Sequence, residues 1–132
     1  MDPQTQVLLN ASADDETTML LQALPPVHFG FHAQQAIEKL LKALIAQLGE
    51  LYPWTHRSDD LTKILERLGE VLPATPLQLS EFDPFATVWR YDNPPPSVLL
   101  DPVKATTTVR IIREFVHRRV AELDAQPGNP QP

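Results

Sequence analysis

An all-α fold, an antiparallel up-down bundle of four long helices and one short helix, is what this sequence predicts. Three observations carry that expectation. Apolar residues recur at the 3.6-residue period in four separate blocks, and no segment alternates with period two for long enough to make a strand. Prolines number 14 among 132 residues, roughly twice the usual 5%, yet they fall between the periodic blocks rather than inside them.

Residues 3–24 form the first helix, with Val7, Ala11, Leu20, Leu21 and Leu24 apolar and Asp14, Asp15 and Glu16 on the surface. Val27 to Leu48 is the clearest block: Ala33, Ile37, Leu40, Leu44 and Leu48 recur at helical steps, Ala36, Leu41 and Ile45 widen the stripe, and Gly49 is a C-terminal stop. Residues 59–72 repeat the pattern with Leu61, Ile64, Leu65 and Leu68. Residues 84–91 read as a short helix closed by Asn93 and Pro94-Pro95-Pro96. Residues 102–124 form the last long helix, with Val109, Ile112, Val116, Val120 and Leu123 along one side. Three Asp-Pro pairs, Asp2-Pro3, Asp83-Pro84 and Asp101-Pro102, read as helix starts. Asp accepts from free N–H groups there, and Pro lacks only an N–H that would be unpaired anyway. Short connections favour antiparallel packing of successive helices. The expected organisation is one domain over residues 1–124 and a disordered tail over 125–132 that carries little to bury.

Composition excludes several classes. Hydrophobic residues at 42% and charged residues at 21% suffice for one core. No apolar run reaches the roughly 18–20 residues of a membrane span, and no secretory signal is visible, so the expected protein is soluble and membrane-free. Cysteine is absent, which removes disulfides, thiolate zinc sites and cysteine nucleophiles and fits a cytoplasmic chain. A net charge of −6 argues against nonspecific binding to duplex DNA.

Polar side chains give the functional candidates. On the second helix His32, Gln35, Lys39 and Lys42 fall within an arc of about 80°, two cations and two hydrogen-bonding groups suited to a phosphate or a base edge. The plainer reading is a solvated face with Glu38–Lys42 as an ordinary i,i+4 pair. His28 and His32 have a metal-clamping spacing, but Gly30 lies between them and no third ligand is apparent, so no metal site is expected. The last helix gathers Lys104, Arg110, Arg113, Arg118 and Arg119, five of the eleven cations, with Glu114 the only acid among them. That concentration favours an anionic partner. Arg110 and His117 project within about 20° of each other and stand about 10.5 Å apart along the axis. An arginine can hold a phosphate and a histidine can move a proton near neutrality, so the pair can cleave RNA without metal. The plainer reading is cations placed near a helix C-terminus. Trp54, Trp89 and Tyr91 read as core or interface aromatics in preference to base-stacking platforms.

Phe31-His32-Ala33-Gln34-Gln35-Ala36, then Glu38-Lys39 and Leu41-Lys42-Ala43-Leu44, resembles the second helix of HEPN domains. Pro53, Thr55-His56, Leu61 and Leu65 resemble that family's Pro-x-Thr-His loop and leucine helix, and Trp89-Arg90-Tyr91 before a proline run resembles its Arg-Tyr-Pro segment. The resemblance covers roughly residues 5–124. Arg57-Ser58 stands where the family has Asp or Asn and then Leu, and the triple proline is longer than the pattern. The ribonuclease branch carries Arg, four to six residues, then His. Arg110 and His117 leave six between them, though Ile111 replaces the usual polar residue after the Arg. The resemblance implies a helical bundle, commonly a homodimer, associated with nucleotides or RNA and encoded beside a minimal nucleotidyltransferase, as its partner or as the toxin of a toxin–antitoxin pair. No cofactor is implied.

Three functions follow as expectations. The first is a nucleotide- or RNA-binding module that works with a nucleotidyltransferase through His32, Gln35, Lys39, Lys42, Arg90, Tyr91 and Arg110. The second is a metal-independent endoribonuclease using Arg110 and His117. The third is a structural protein-interaction module.

Overall fold

The computed structural model of the chain describes residues 1–90 and 94–126, and for Arg90 its backbone alone. Five α-helices follow in order: α1 Pro3–Met19, α2 Pro26–Gln47, α3 Ser58–Arg67, α4 Pro76–Ser80 and α5 Pro102–Asp124. Three 3-10 turns, Asp83–Ala86, Val88–Arg90 and Pro96–Val98, fill the stretch between α4 and α5. Among the described residues there is no strand, so the all-α bundle expected from the periodicity is what forms. The expected tail from residue 127 onward, and Tyr91, lie outside the described residues.

Two of the three Asp-Pro pairs cap as the sequence suggests. Asp2 accepts from the Gln4 and Thr5 N–H groups at 2.8 and 3.2 Å, and Asp101 from those of Val103 and Lys104 at 2.9 and 3.1 Å. Pro3 and Pro102 each take the first helical position. The third pair behaves differently. Asp83-Pro84 opens only a 3-10 turn, and the Asp83 carboxylate accepts from the backbone N–H and the hydroxyl of Ser58, each at 3.2 Å. It therefore caps α3 across space, where the N-cap residue Arg57 supplies no side-chain hydrogen bond of its own. The short helix expected over 84–91 becomes two 3-10 turns, interrupted at Thr87, whose φ of −128° and ψ of −74° leave the helical region. Helix α4 was not anticipated. A Thr75–Gln78 capping box starts it, with both reciprocal hydrogen bonds made.

Helix α2 is the centre of the bundle. Its buried residues, Ala33, Ala36, Ile37, Leu40, Leu41, Ala43, Leu44 and Ile45, cover most of its circumference. Antiparallel packing on α1 is fixed by side chains of α1 that donate to α2: Thr5 to the Ala43 carbonyl at 3.3 Å and Ser12 to the Ala36 carbonyl at 3.2 Å. At the C-terminal end of α2, Gln47 donates to Asp124 of α5 at 2.7 Å, so these two helices finish side by side. Gly49 at φ +81° ends α2. Its N–H reaches Ala46 and the Glu50 N–H reaches Ile45, at 3.0 and 3.2 Å, the Schellman arrangement. The chain then folds back along α2, placing Tyr52 beside Lys42 and His56 beside Glu38. Helix α3 thus begins beside the middle of α2 and ends near its C-terminal turn, where Arg67 approaches Glu50 at 4.0 Å.

The α1 face differs from the expectation. Val7, Leu20 and Leu21 are exposed, while Thr5, Leu8, Leu9, Ser12, Asp15 and Met19 are buried. The buried stripe mixes hydroxyls and a carboxylate with leucines, and it is stable because each of those polar groups finds a partner on α2. Leu20 and Leu21 lie past the end of the helix.

Gly30 lies within α2, where a glycine costs about 1 kcal/mol against alanine. Its presence has a steric cause: a Cβ there would stand 2.2 Å from Cδ1 of Phe85. The Phe85 ring is buried against the bare backbone, and this contact seats the turn that carries Asp83 to Ser58. Gly30→Ala should therefore destabilise the protein by about 1–3 kcal/mol in chemical denaturation, although alanine is the better helix former. An unchanged midpoint would show that the ring is free to move aside.

Candidate functional site

The four polar candidates on α2 do not form one solvated arc. His32, Lys39 and Lys42 divide between two buried carboxylates, Asp15 of α1 and Glu38 of α2, while Gln35 turns to Gln34. Asp15 of α1 accepts from His32 Nδ1 at 2.9 Å and from Lys39 Nζ at 2.5 Å. Glu38 accepts from Lys42 Nζ at 3.2 Å, from His56 Nδ1 at 2.8 Å and from Gln34 Nε2 at 3.0 Å. Gln35 donates to Gln34 at 2.7 Å. The expected surface position of Asp15 is thereby corrected: it is buried, because the Lys39 ammonium and the His32 Nδ1–H from α2 satisfy its charge there. The expected Glu38–Lys42 pair forms, but with the carboxylate inside rather than in a solvated face.

Both histidines are held in one tautomer. An ionised carboxylate only accepts, so Nδ1 must carry the proton in His32 and His56. The half-exposed His56 ring keeps Nε2 as its second polar atom. Behind it, Gln34, Glu38, His56, Ser58 and Asp83 help line a cavity of about 10 Å³, room for roughly one water molecule. Burial pushes the Asp83 carboxyl above the usual carboxylate range, against the opposing effect of its hydrogen bonds from Ser58.

On α5 the concentration of cations is largely offset by acids, some brought from elsewhere in the fold. Arg113 donates to Glu16 at 2.6 Å. Arg119 grips Glu70 with two bonds at 2.7 and 2.9 Å and also donates to Glu122 at 2.9 Å. Arg118 approaches Glu122 at 3.9 Å, and Arg110 approaches Glu114 at 3.8 Å. The Glu70 bonds raise the Arg119 pKa still further. Glu70 is placed for this by the end of α3, where Gly69 at φ +89° closes a second Schellman turn through the Glu70 N–H to Leu65. Arg110 and His117 are both exposed. No hydrogen bond joins them among the described residues, and His117 has no ion-pair partner there. Arg90 closes a 3-10 turn, while its side chain and Tyr91 lie outside the described residues.

Sequence reasoning missed Glu38, His56, Ser58 and Asp83 as one cluster. A signal was present only in part, since Thr55-His56 and Asp83-Pro84 stood out for other reasons. Trp54 is corrected in part. Of its two expected places, core or interface, the core is excluded, because the ring is 102% exposed. Among the described residues no group of three or more His, Cys, Asp or Glu side chains is arranged to hold a metal ion. No helix among them is long and apolar enough to cross a membrane.

The HEPN domain model matches residues 28–123, the span from the first turn of α2 to the last turn of α5. The chain belongs to the HEPN family. No curated protein and no solved structure matches it.

Two outcomes test the cluster and the clasp. Arg119→Ala strands a Glu70 side chain that is only 5% exposed, which should cost about 3–5 kcal/mol of stability in urea unfolding. A loss under 1 kcal/mol would reduce the pair to a surface contact. For Asp83 the folded pKa is raised, so its contribution is present below the usual carboxylate pKa and lost as pH rises through the folded value. The stability gap between wild type and Asp83→Asn should accordingly narrow as pH rises above the usual carboxylate pKa of about 4. A gap that widens as pH rises would reverse the sign of the shift.

Proposed function

We propose that this HEPN protein is a cytoplasmic, homodimeric, nucleotide- or RNA-associated bundle that works with a separate minimal nucleotidyltransferase. The observation that carries this reading is the family match over residues 28–123. Exposed apolar side chains at Val88, Val98 and Val103, around the start of α5, support a protein contact. Of the proposed ligand contacts, His32, Gln35, Lys39 and Lys42 would have to act while engaged with Asp15, Gln34 and Glu38. Arg110, with only a loose exposed pair to Glu114, is the more available cation. Arg90 and Tyr91 complete the proposed set.

A second reading is a metal-independent endoribonuclease, the toxin of a toxin–antitoxin pair. It is favoured by the exposure of Arg110 and His117 on one helix and by a His117 imidazole that makes no ion pair among the described residues. An axial offset of about 10.5 Å requires a second subunit to bring another copy of the pair alongside.

Light scattering coupled to size exclusion should give about twice the 14.8 kDa chain mass at micromolar concentration. A monomer at every accessible concentration would remove the dimer. For a binding module, Arg110→Ala should weaken RNA or nucleotide affinity, added salt should weaken the wild type, and His117→Gln should leave affinity nearly unchanged at pH 8. For an endoribonuclease, His117→Gln should abolish cleavage while binding persists and EDTA has no effect. A mixture of Arg110→Ala and His117→Ala subunits should then recover activity in trans.

A further inference from the structure

We infer that the returning segment between α2 and α3 carries a stacking site for a nucleotide unit, with Trp54 as the platform and Arg57 and His56 as its polar contacts. This goes beyond the proposed function by naming a site on a different element from Arg110 and His117, and it rests on that reading only for its choice of RNA as a probe.

The first observation is the ring itself. Trp54 is 102% exposed, so folding buries none of an indole, a side chain that is highly buried on average. The second is that this segment is not loose. Tyr52 accepts from Gln4 at 2.8 Å and lies under the Lys42 ammonium at 5.4 Å. Thr55 donates to Asp60 at 2.7 Å and accepts from the Arg57 N–H at 3.0 Å. His56 is fixed to the buried Glu38. Anchors on both sides thus hold Trp54 out on a braced support, which lowers the entropy a ligand would have to pay.

The third observation is charge. Two acids along this edge are paired with cations, Asp59 with Lys63 at 2.9 Å and Glu50 with Arg67 at 4.0 Å, and Asp60 accepts from the Thr55 hydroxyl. Arg57 is exposed and makes no ion pair among the described residues. It stands three residues from the indole, next to a histidine already turned by Glu38. An exposed aromatic face three residues along the chain from an exposed arginine, with an oriented imidazole between them in sequence, offers the groups that a planar base carrying a phosphate requires. The nucleotide can come free or as one unit of a single-stranded RNA.

The test uses the full chain with Trp89→Phe, so that indole fluorescence reports Trp54 alone. Titration with a single-stranded oligoadenylate should quench that emission, and titration with AMP distinguishes the sources. Quenching by both means that a free nucleotide suffices; quenching by the oligomer alone means that the chain is required. Either outcome supports the site. Trp54→Ala should weaken oligoadenylate binding about tenfold, with Trp54→Phe retaining part of the affinity. Arg57→Ala should weaken it and reduce the slope of log affinity against log salt by about 0.7. Because Trp54 is outside the core, these variants should unfold at the wild-type midpoint. Oligoadenylate binding that is unaltered by Trp54→Ala and leaves the indole unquenched would overturn the site while leaving the RNA reading intact. No binding of either probe by the wild type would overturn both. A shift from dimer to monomer in Trp54→Ala, with nucleotide affinity unchanged, would assign the ring to a protein contact instead.

Discussion

Burial of α2 on nearly every side is the constraint on which the rest of this structure depends. A helix in that position cannot leave its polar side chains to water, yet this one carries His32, Gln34, Gln35, Glu38, Lys39 and Lys42 along its middle. Each must be satisfied by what packs against it. Asp15 serves this purpose from α1, and Glu38 draws in His56 from the returning segment. The apolar stripe holds the helices together without direction, while these two carboxylates set which neighbour lies at which height.

The same requirement explains the route between α2 and α3. A chain leaving α2 through the Gly49 turn is free to reverse into a tight hairpin. It instead runs back beside α2, because Tyr52 packs under Lys42 and His56 answers Glu38. That detour starts α3 at the level of Glu38, within reach of Asp83. The turn that carries Asp83 is seated by Phe85 against Gly30. A missing methyl group on α2 is therefore linked, through one ring and one carboxylate, to the N-terminal cap of another helix.

What could be read from the sequence follows from this division of labour. The apolar period of α2 and α5 was legible because their buried positions are almost all aliphatic, and Val109, Ile112, Val116, Val120 and Leu123 are buried as expected. The α1 face was not legible, since its inward stripe includes Thr5, Ser12 and Asp15, residue types that ordinarily mark a surface. Their partners are carbonyls and side chains on another helix, and no local pattern shows that. The Asp83 cap was hidden for a related reason: an Asp-Pro pair announces a cap but not whose helix receives it. The cations of α5 were legible as a cluster, whereas Glu16 and Glu70, remote in sequence, were invisible as their counterions.

This accounting changes how the charge of the protein should be read. A net charge of −6 with a cationic helix suggests a molecule polarised for an anionic partner. In the folded chain Arg113 and Arg119 are spent on holding α1 and the end of α3 against α5, and Lys39 and Lys42 on the buried carboxylates. Their role is architectural, and a substitution at any of them disturbs packing before it disturbs recognition. The exposed cations left with no ion pair, or only a loose one, among the described residues include Arg57 on the returning segment, Lys104 at the start of α5, and Arg110. They lie on two elements, α5 and the segment before α3, too sparsely on either to hold a duplex backbone through counterion release. Cations spaced in this way offer single contacts rather than a continuous field of positive charge.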